Sequence, residues 1–183
     1  MINLKGLRLQ RYKEYKVLIY RILLAYFFYF IARVLFTIYN HDLIIIDSVW
    51  DFIALCWHGL VFDTTSILYI NSLFILLSIM PFKINTTAVY QRFLVYLYFV
   101  TNIIAYATNF IDFIYYRFNF GRSTIAMTDS IAHESNKLLL FKNFLINYWH
   151  VFLLFFALSY LWIFLYKKVK LQDLPVRFNW QYL

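Results

Sequence analysis

Four histidines, one cysteine and nine acidic residues are all this 183-residue chain offers to metal-assisted or nucleophilic chemistry. They are scattered. His41, His58, His133 and His150 fall in different segments, none has a Cys or His at ligand spacing, and Cys56 has no base beside it. A single cysteine excludes an internal disulfide and a CxxC-type cluster. There is no P-loop, no GxGxxG and no HExxH. Asp47, Asp51 and His58 share one helical face at i, i+4 and i+11, a geometry open to a metal ion. The plainer reading is a polar face turned to water. No catalytic, cofactor-binding or metal-ligating residue is assigned.

The residues that stand out chemically are polar ones inside or beside long apolar runs. Arg33 lies about six residues inside one such run, hence roughly 9 Å deep at 1.5 Å per residue. A cation there needs a carboxylate or lipid headgroups. Asp63 stands just inside the next run and Asp112 at the end of the third, so topology predicts Arg33 with Asp63, and with Asp112 as a further candidate. Three readings stay open: a structural ion pair, a site for an anionic lipid headgroup, and lone snorkelling of Arg33. Arg21, near the other end of the first run, is expected to snorkel to the cytoplasmic surface. Asn102, Ala105, Asn109 and Asp112 form a stripe at i, i+3, i+7 and i+10, and Thr64, Asn71 and Ser78 form another at sevenfold spacing. Such stripes look toward protein or water, so they are expected to face each other or the first span. Helix adhesion is one reading of them, a lipid-substrate or ion path the other. With Arg122 in the following connector, the candidate cluster is Arg33, Asp63, Asn102, Asn109, Asp112 and Arg122.

The elements that carry these residues are membrane spans. Asn147–Tyr166 is twenty residues without a formal charge, closed by Lys167 and Lys168 and bounded by Tyr148, Trp149 and Tyr166. That length matches a hydrocarbon core of about 30 Å. Similar runs at 17–39, 60–80 and 93–111 give an all-α polytopic membrane protein with four transmembrane helices. Asp47–His58 reads as an amphipathic helix lying in the outer interface. The connector 112–146 opens with aromatics at Phe113–Phe120 that read as interface anchors. The first run is too long for a signal-peptide core. The composition agrees, at 63% hydrophobic and 14% charged.

A net charge of +8 raises the question of nucleic acid. Six of the seventeen basic residues, however, fall within the first 21 positions, beside the first run. Juxtamembrane cations explain that distribution, with anionic lipid as their partner and no nucleic-acid motif beside them. The segment 41–59 holds Asp42, Asp47 and Asp51 and no Lys or Arg, whereas both chain ends and the connector after Met80 are basic. The positive-inside rule therefore puts residues 1–16 and 167–183 in the cytoplasm.

The order of segments adds a resemblance. His58-Gly59-Leu60-Val61-Phe62-Asp63 leads into Ile67-Leu68-Tyr69-Ile70-Asn71, followed by Thr101-Asn102 and Asn109 through Asp112. Then come Tyr116-Arg117-Phe118-Asn119-Phe120-Gly121-Arg122-Ser123-Thr124, Glu134-Ser135-Asn136 and Tyr148-Trp149. Together, over about Tyr20 to Lys168, these resemble the N-terminal membrane region of the lipoteichoic acid synthase-like, sulfatase-type family, especially its Bacteroidetes-like branch. Thr64 and Thr65 depart from the leucine and small residues common there. The resemblance implies a bacterial plasma-membrane protein that anchors an extracytoplasmic alkaline-phosphatase-like domain. Such a domain uses a divalent metal and a Thr nucleophile to transfer or hydrolyse phosphoglycerol, phosphoethanolamine or sulfate groups. Neither its ligands nor its nucleophile is present, so no catalytic residue or cofactor carries over to this chain. An external domain needs an odd number of spans after a cytoplasmic N-terminus, so the chain is expected to be a fragment ending before a fifth span. The alternative is a stand-alone small membrane protein acting as a subunit or scaffold. A transporter would call for discontinuous helices or an inverted repeat, and neither is present.

Overall fold

The computed structural model describes residues 4–80, 87–121, 123 and 137–169. Among them there is no strand. Among the described residues five helices follow one another: α1 (Leu4–Tyr39), α2 (Val49–Ile79), α3 (Ala88–Asn119), α4 (Lys137–Asn147) and α5 (Trp149–Lys168). Four segments are long and apolar enough to cross a membrane: Tyr12–Tyr39 of α1, and α2, α3 and α5 whole. The protein is an all-α, multi-pass membrane protein.

Three helices are longer than the apolar runs predict. At 1.5 Å per residue α5 spans about 30 Å, while α1, α2 and α3 reach about 46–54 Å and must overrun a bilayer core. The largest difference is in α2. The segment expected to lie flat on the membrane is helical, but it continues without a break into the span. The reason is phase. Phe52, Cys56, Gly59, Asp63, Ile67, Asn71 and Phe74 turn inward at steps of three and four, so one inward face runs straight through both segments. A capping box starts the helix: Ser48 Oγ accepts from the Asp51 N–H (3.2 Å), and the Asp51 carboxylate accepts from the Ser48 N–H (2.9 Å). Asp47, Asp51, Ala54 and His58 remain exposed, as a water-facing stripe should. Trp50, Ile53 and Trp57 are exposed as well, so protein does not cover the apolar side of this overhang.

The helices alternate in direction. At one end Tyr20 Oη–H donates to the Leu165 carbonyl (3.0 Å) and Tyr90 Oη–H to the Leu77 carbonyl (3.0 Å). At the other, Arg117 donates to the Tyr39 carbonyl (3.0 Å), and the Tyr39 hydroxyl meets His150 Nε2 (3.2 Å). Helices α1 and α3 form the middle of the bundle, each packing on α2 and α5. On α1 the buried positions Leu24, Ala25, Phe28, Tyr29, Ala32 and Phe36 recur at helical spacing. Ala25 and Ala32 let neighbouring helices approach closely.

Aromatic rings fill the centre. Trp162 stacks on Phe28 (4.8 Å between centroids, 6° between planes) and meets Tyr98 and Tyr106 edge-on. Its indole N–H donates to Tyr98 Oη (3.1 Å), and that hydroxyl donates to the Arg21 carbonyl (2.8 Å). With no water in a hydrocarbon core, such partners matter, yet the buried hydroxyls of Tyr29, Tyr106 and Tyr166 have none. Phe113, expected as an interface anchor, is 1% exposed and belongs to the core because α3 runs on past it to Asn119. Phe118 and Phe120, further along, are exposed.

Candidate functional site

Arg33 rises from the last third of α1 toward α2, where Gly59 and Asp63 stand one turn apart on the facing side. The guanidinium grips the carboxylate with two bonds, Nε–H to Oδ2 (3.1 Å) and an Nη2–H to Oδ1 (2.6 Å). Nη2 also donates to the Gly59 carbonyl (2.9 Å). The two side chains are only 10% and 12% exposed. A two-pronged, charge-assisted grip is the strongest geometry open to this pair.

Gly59 makes that approach possible. A Cβ on Gly59 would overlap Cζ, Nη1 and Nε of Arg33. The guanidinium therefore lies flat against bare helix backbone, held there by the carboxylate one turn on. Sequence reasoning assigned Gly59 no part in the cluster. The signal that would have found it is a glycine four residues before the only acid of the apolar run.

Of the remaining predicted residues, Asn102 meets Asn71 as the facing stripes require. Each side-chain amide donates to the other's oxygen (2.7 and 3.0 Å), both residues are fully buried, and each also donates to the carbonyl four residues back. Asn109 turns to its own helix, donating to the Ala105 carbonyl (3.2 Å). Asp112 is not the partner of Arg33 that topology offered. Its Oδ1 accepts from the Ser123 N–H (2.7 Å) and from Ser123 Oγ–H, which ties the chain after α3 back onto that helix. Arg122 lies outside the described residues. The predicted cluster thus divides into an ion pair, a buried amide pair, a loop tether and a locally satisfied Asn109.

Arg21 is a correction. It does not snorkel to a surface but is 5% exposed, at the opposite end of the bundle from Arg33. Both of its terminal nitrogens donate to one oxygen, Gln91 Oε1, at 3.3 Å, and its plane lies over the Tyr166 ring at 4.5 Å. The reason is geometric: Arg21 shares the inward face of α1 with Leu24, Ala25 and Phe28, so α2, α3 and α5 close around it.

No protein-family model, no curated protein and no solved structure matches this chain. The chemistry must be read from the geometry. Among the described residues no three His, Cys, Asp or Glu side chains come together to hold a metal ion, and Asp47, Asp51 and His58 form no such group. The Arg33–Asp63 unit is internally neutral. It can hold two spans together, and it can admit an external anion only by giving up Asp63.

Proposed function

We propose that this chain is the membrane-anchor region of a sulfatase-type enzyme that transfers or hydrolyses lipid headgroups, with no catalytic residue of its own. What carries the reading is that the quoted family motifs coincide with the polar devices of the bundle. Gly59 and Asp63 hold Arg33, Asn71 and Asn102 clasp α2 to α3, and Asp112 and Ser123 fasten the connector. An anchor whose connector is tied down would hold a following domain at a fixed height above the headgroups, raising its effective concentration there. The proposed setting is a bacterial plasma membrane with both ends of the region in the cytoplasm. Support comes from charge: exposed Lys13, Lys16, Arg92, Lys167 and Lys168 stand at the Arg21 end, and exposed Asp42, Asp47 and Asp51 at the Arg33 end. The Arg33–Asp63 pair then lies in the outer half of the bilayer.

The test is to recover, from native membranes, the polypeptide that carries this sequence, measure its mass, and assay headgroup transfer from phosphatidylglycerol. A polypeptide much larger than these 183 residues that releases diacylglycerol supports the anchor. A polypeptide of this chain's own mass without that activity leaves the stand-alone subunit as the better account. Reporter fusions at Asp47 and Asn85 check the orientation separately: a cytoplasmic signal at Asp47 reverses it.

A further inference from the structure

From Val49 to His58 the exposed side chains of α2 sort into two arcs. Val49, Trp50, Ile53 and Trp57 make the apolar arc, with Trp50 77% and Trp57 68% exposed. Asp51, Ala54 and His58, with Asp47 just before the helix, make the other, about 100° round at 3.6 residues per turn. No Lys or Arg lies in 41–59. An exposed apolar patch rimmed by charge marks a contact surface.

Helical phase says what the patch meets. Trp50, Trp57, Val61 and Leu68 recur at steps of seven, four and seven, so they share one face. Val61 and Leu68 belong to the span and are exposed on its lipid side. That lipid-facing side runs unbroken into the arc of the two tryptophans. A second copy of the chain fits less well. A twofold contact repeats one patch on both chains, so Asp47 and Asp51 would gather beside their own copies with no cation among them. Tryptophans next to a span, with acids on the adjacent arc, suit a lipid interface: rings in the interfacial layer, carboxylates in water.

Depth then requires α2 to lean. Asp63 is level with its partner Arg33, roughly 9 Å inside the hydrocarbon boundary. Trp57, six residues nearer the surface, lies at that boundary. Trp50, thirteen residues from Asp63, would stand about 10 Å outside it in an upright helix, past a headgroup layer of about 5–7 Å. A lean of about 30–40° lowers it to about 6–8 Å, and its ring, on the underside, reaches further down.

We propose that residues 49–58 dock on the leaflet at the Arg33 end, with phospholipid against Trp50, Ile53 and Trp57 and the acids turned to water. The lipid is zwitterionic, because Asp47 and Asp51 repel anionic headgroups, and α2 leans toward its tryptophan side. The proposal requires only that the bundle lies in a bilayer, and it does not rest on the anchor reading.

The experiment is spin labelling of the full chain in phosphatidylcholine vesicles, in a Cys56→Ala background. Ile53→Cys, Asp51→Cys, Ala54→Cys and His58→Cys are labelled one at a time, with both tryptophans in place. Collision with oxygen, which concentrates in lipid, is compared with collision with a water-soluble nickel chelate. The oxygen-to-nickel ratio at position 53 should be several-fold that at 51, 54 and 58. Trp50→Ser with Trp57→Ser should bring the ratio at 53 down toward that at 54. Nickel-dominated collision at all four positions puts the overhang in water and overturns the proposal. So does a label at 53 that neither reagent reaches, or one whose spectrum is broadened until unlabelled chain dilutes it, since a copy of the chain then covers the patch. An unchanged ratio at 53 without the tryptophans overturns it as well. Phosphatidylglycerol added at low ionic strength should lower the ratio at 53; an unchanged or higher ratio overturns the choice of zwitterionic lipid.

Discussion

Arg33 and Arg21 lie on the same helix and are both largely buried, yet the fold treats them in opposite ways. At Arg33 the facing helix supplies a carboxylate, a carbonyl and a glycine-sized gap, and the cation is gripped by two prongs. At Arg21 the hydrogen-bonding partner is one neutral amide oxygen, a ring covers one face, and Glu14 lines a small cleft alongside. One arginine is consumed by structure. The other keeps donor capacity in reserve. A buried charge gripped directly by a full countercharge reads as a fastener, whereas Arg21 is held by a neutral amide and a ring. Residue type and depth alone do not separate the two; the partner on the next helix does.

The sharpest way to break this contrast is Asp63→Ala. It strands Arg33 in the bundle and should cost about 3 kcal/mol in thermal unfolding of the detergent-solubilised protein. The double change of Arg33 and Asp63 to Leu should then be milder than the sum of the two single ones. Strict additivity would mean that the two side chains act independently, and the contrast would collapse. Next is Gly59→Ala, which places a methyl group where the guanidinium rests. It should cost about 2 kcal/mol, the scale of overpacking, and much less once Arg33 is already Leu. An equal cost in both backgrounds would trace the effect to the helix and not to the arginine.

At the opposite end Gln91→Leu removes a neutral acceptor and should cost only about 1 kcal/mol. A loss as large as that of Asp63→Ala would show that Arg21 is as firmly fastened as Arg33. The smallest effect belongs to the Arg117–Asp42 pair, at 2.7 Å but with side chains 34% and 45% exposed. Asp42→Asn should shift stability by at most about 0.5 kcal/mol, and less in high salt. A larger loss there would remove burial as the variable that ranks these pairs.

What the sequence made legible follows from how local each signal is. Four apolar runs and their polar stripes sufficed for the four spans and for the meeting of Arg33 with Asp63, because depth and helical phase are both periodic properties; the stripes were expected to face each other or the first span, and the particular clasp of Asn71 with Asn102 was not legible. The true start of α2 was not legible from hydropathy, since Asp47, Asp51 and His58 interrupt the apolar count without interrupting the inward face. Asp112 was assigned by depth alone, and depth does not reveal that Ser123 folds back to meet it. Arg21 was misread for a related reason. A cation near a span end can snorkel or turn inward, and only the packing of Leu24, Ala25 and Phe28 beside it decides which.

The pairing of Arg33 with Asp63 also bears on how the chain is made. During synthesis α1 emerges before α2, and it carries Arg21 and Arg33, whose side-chain partners Gln91, Tyr166, Gly59 and Asp63 all lie later in the chain. Insertion of such a helix by itself meets a cost of about 2.5–3.5 kcal/mol for an arginine near its centre. The first group able to relieve Arg33 is Asp63, and it arrives only with α2. Productive membrane entry should therefore be that of a helical hairpin, α1 waiting at the translocation site until α2 joins it. The capped turn before Ser48 and the glycine under the guanidinium then serve biogenesis as much as the finished bundle.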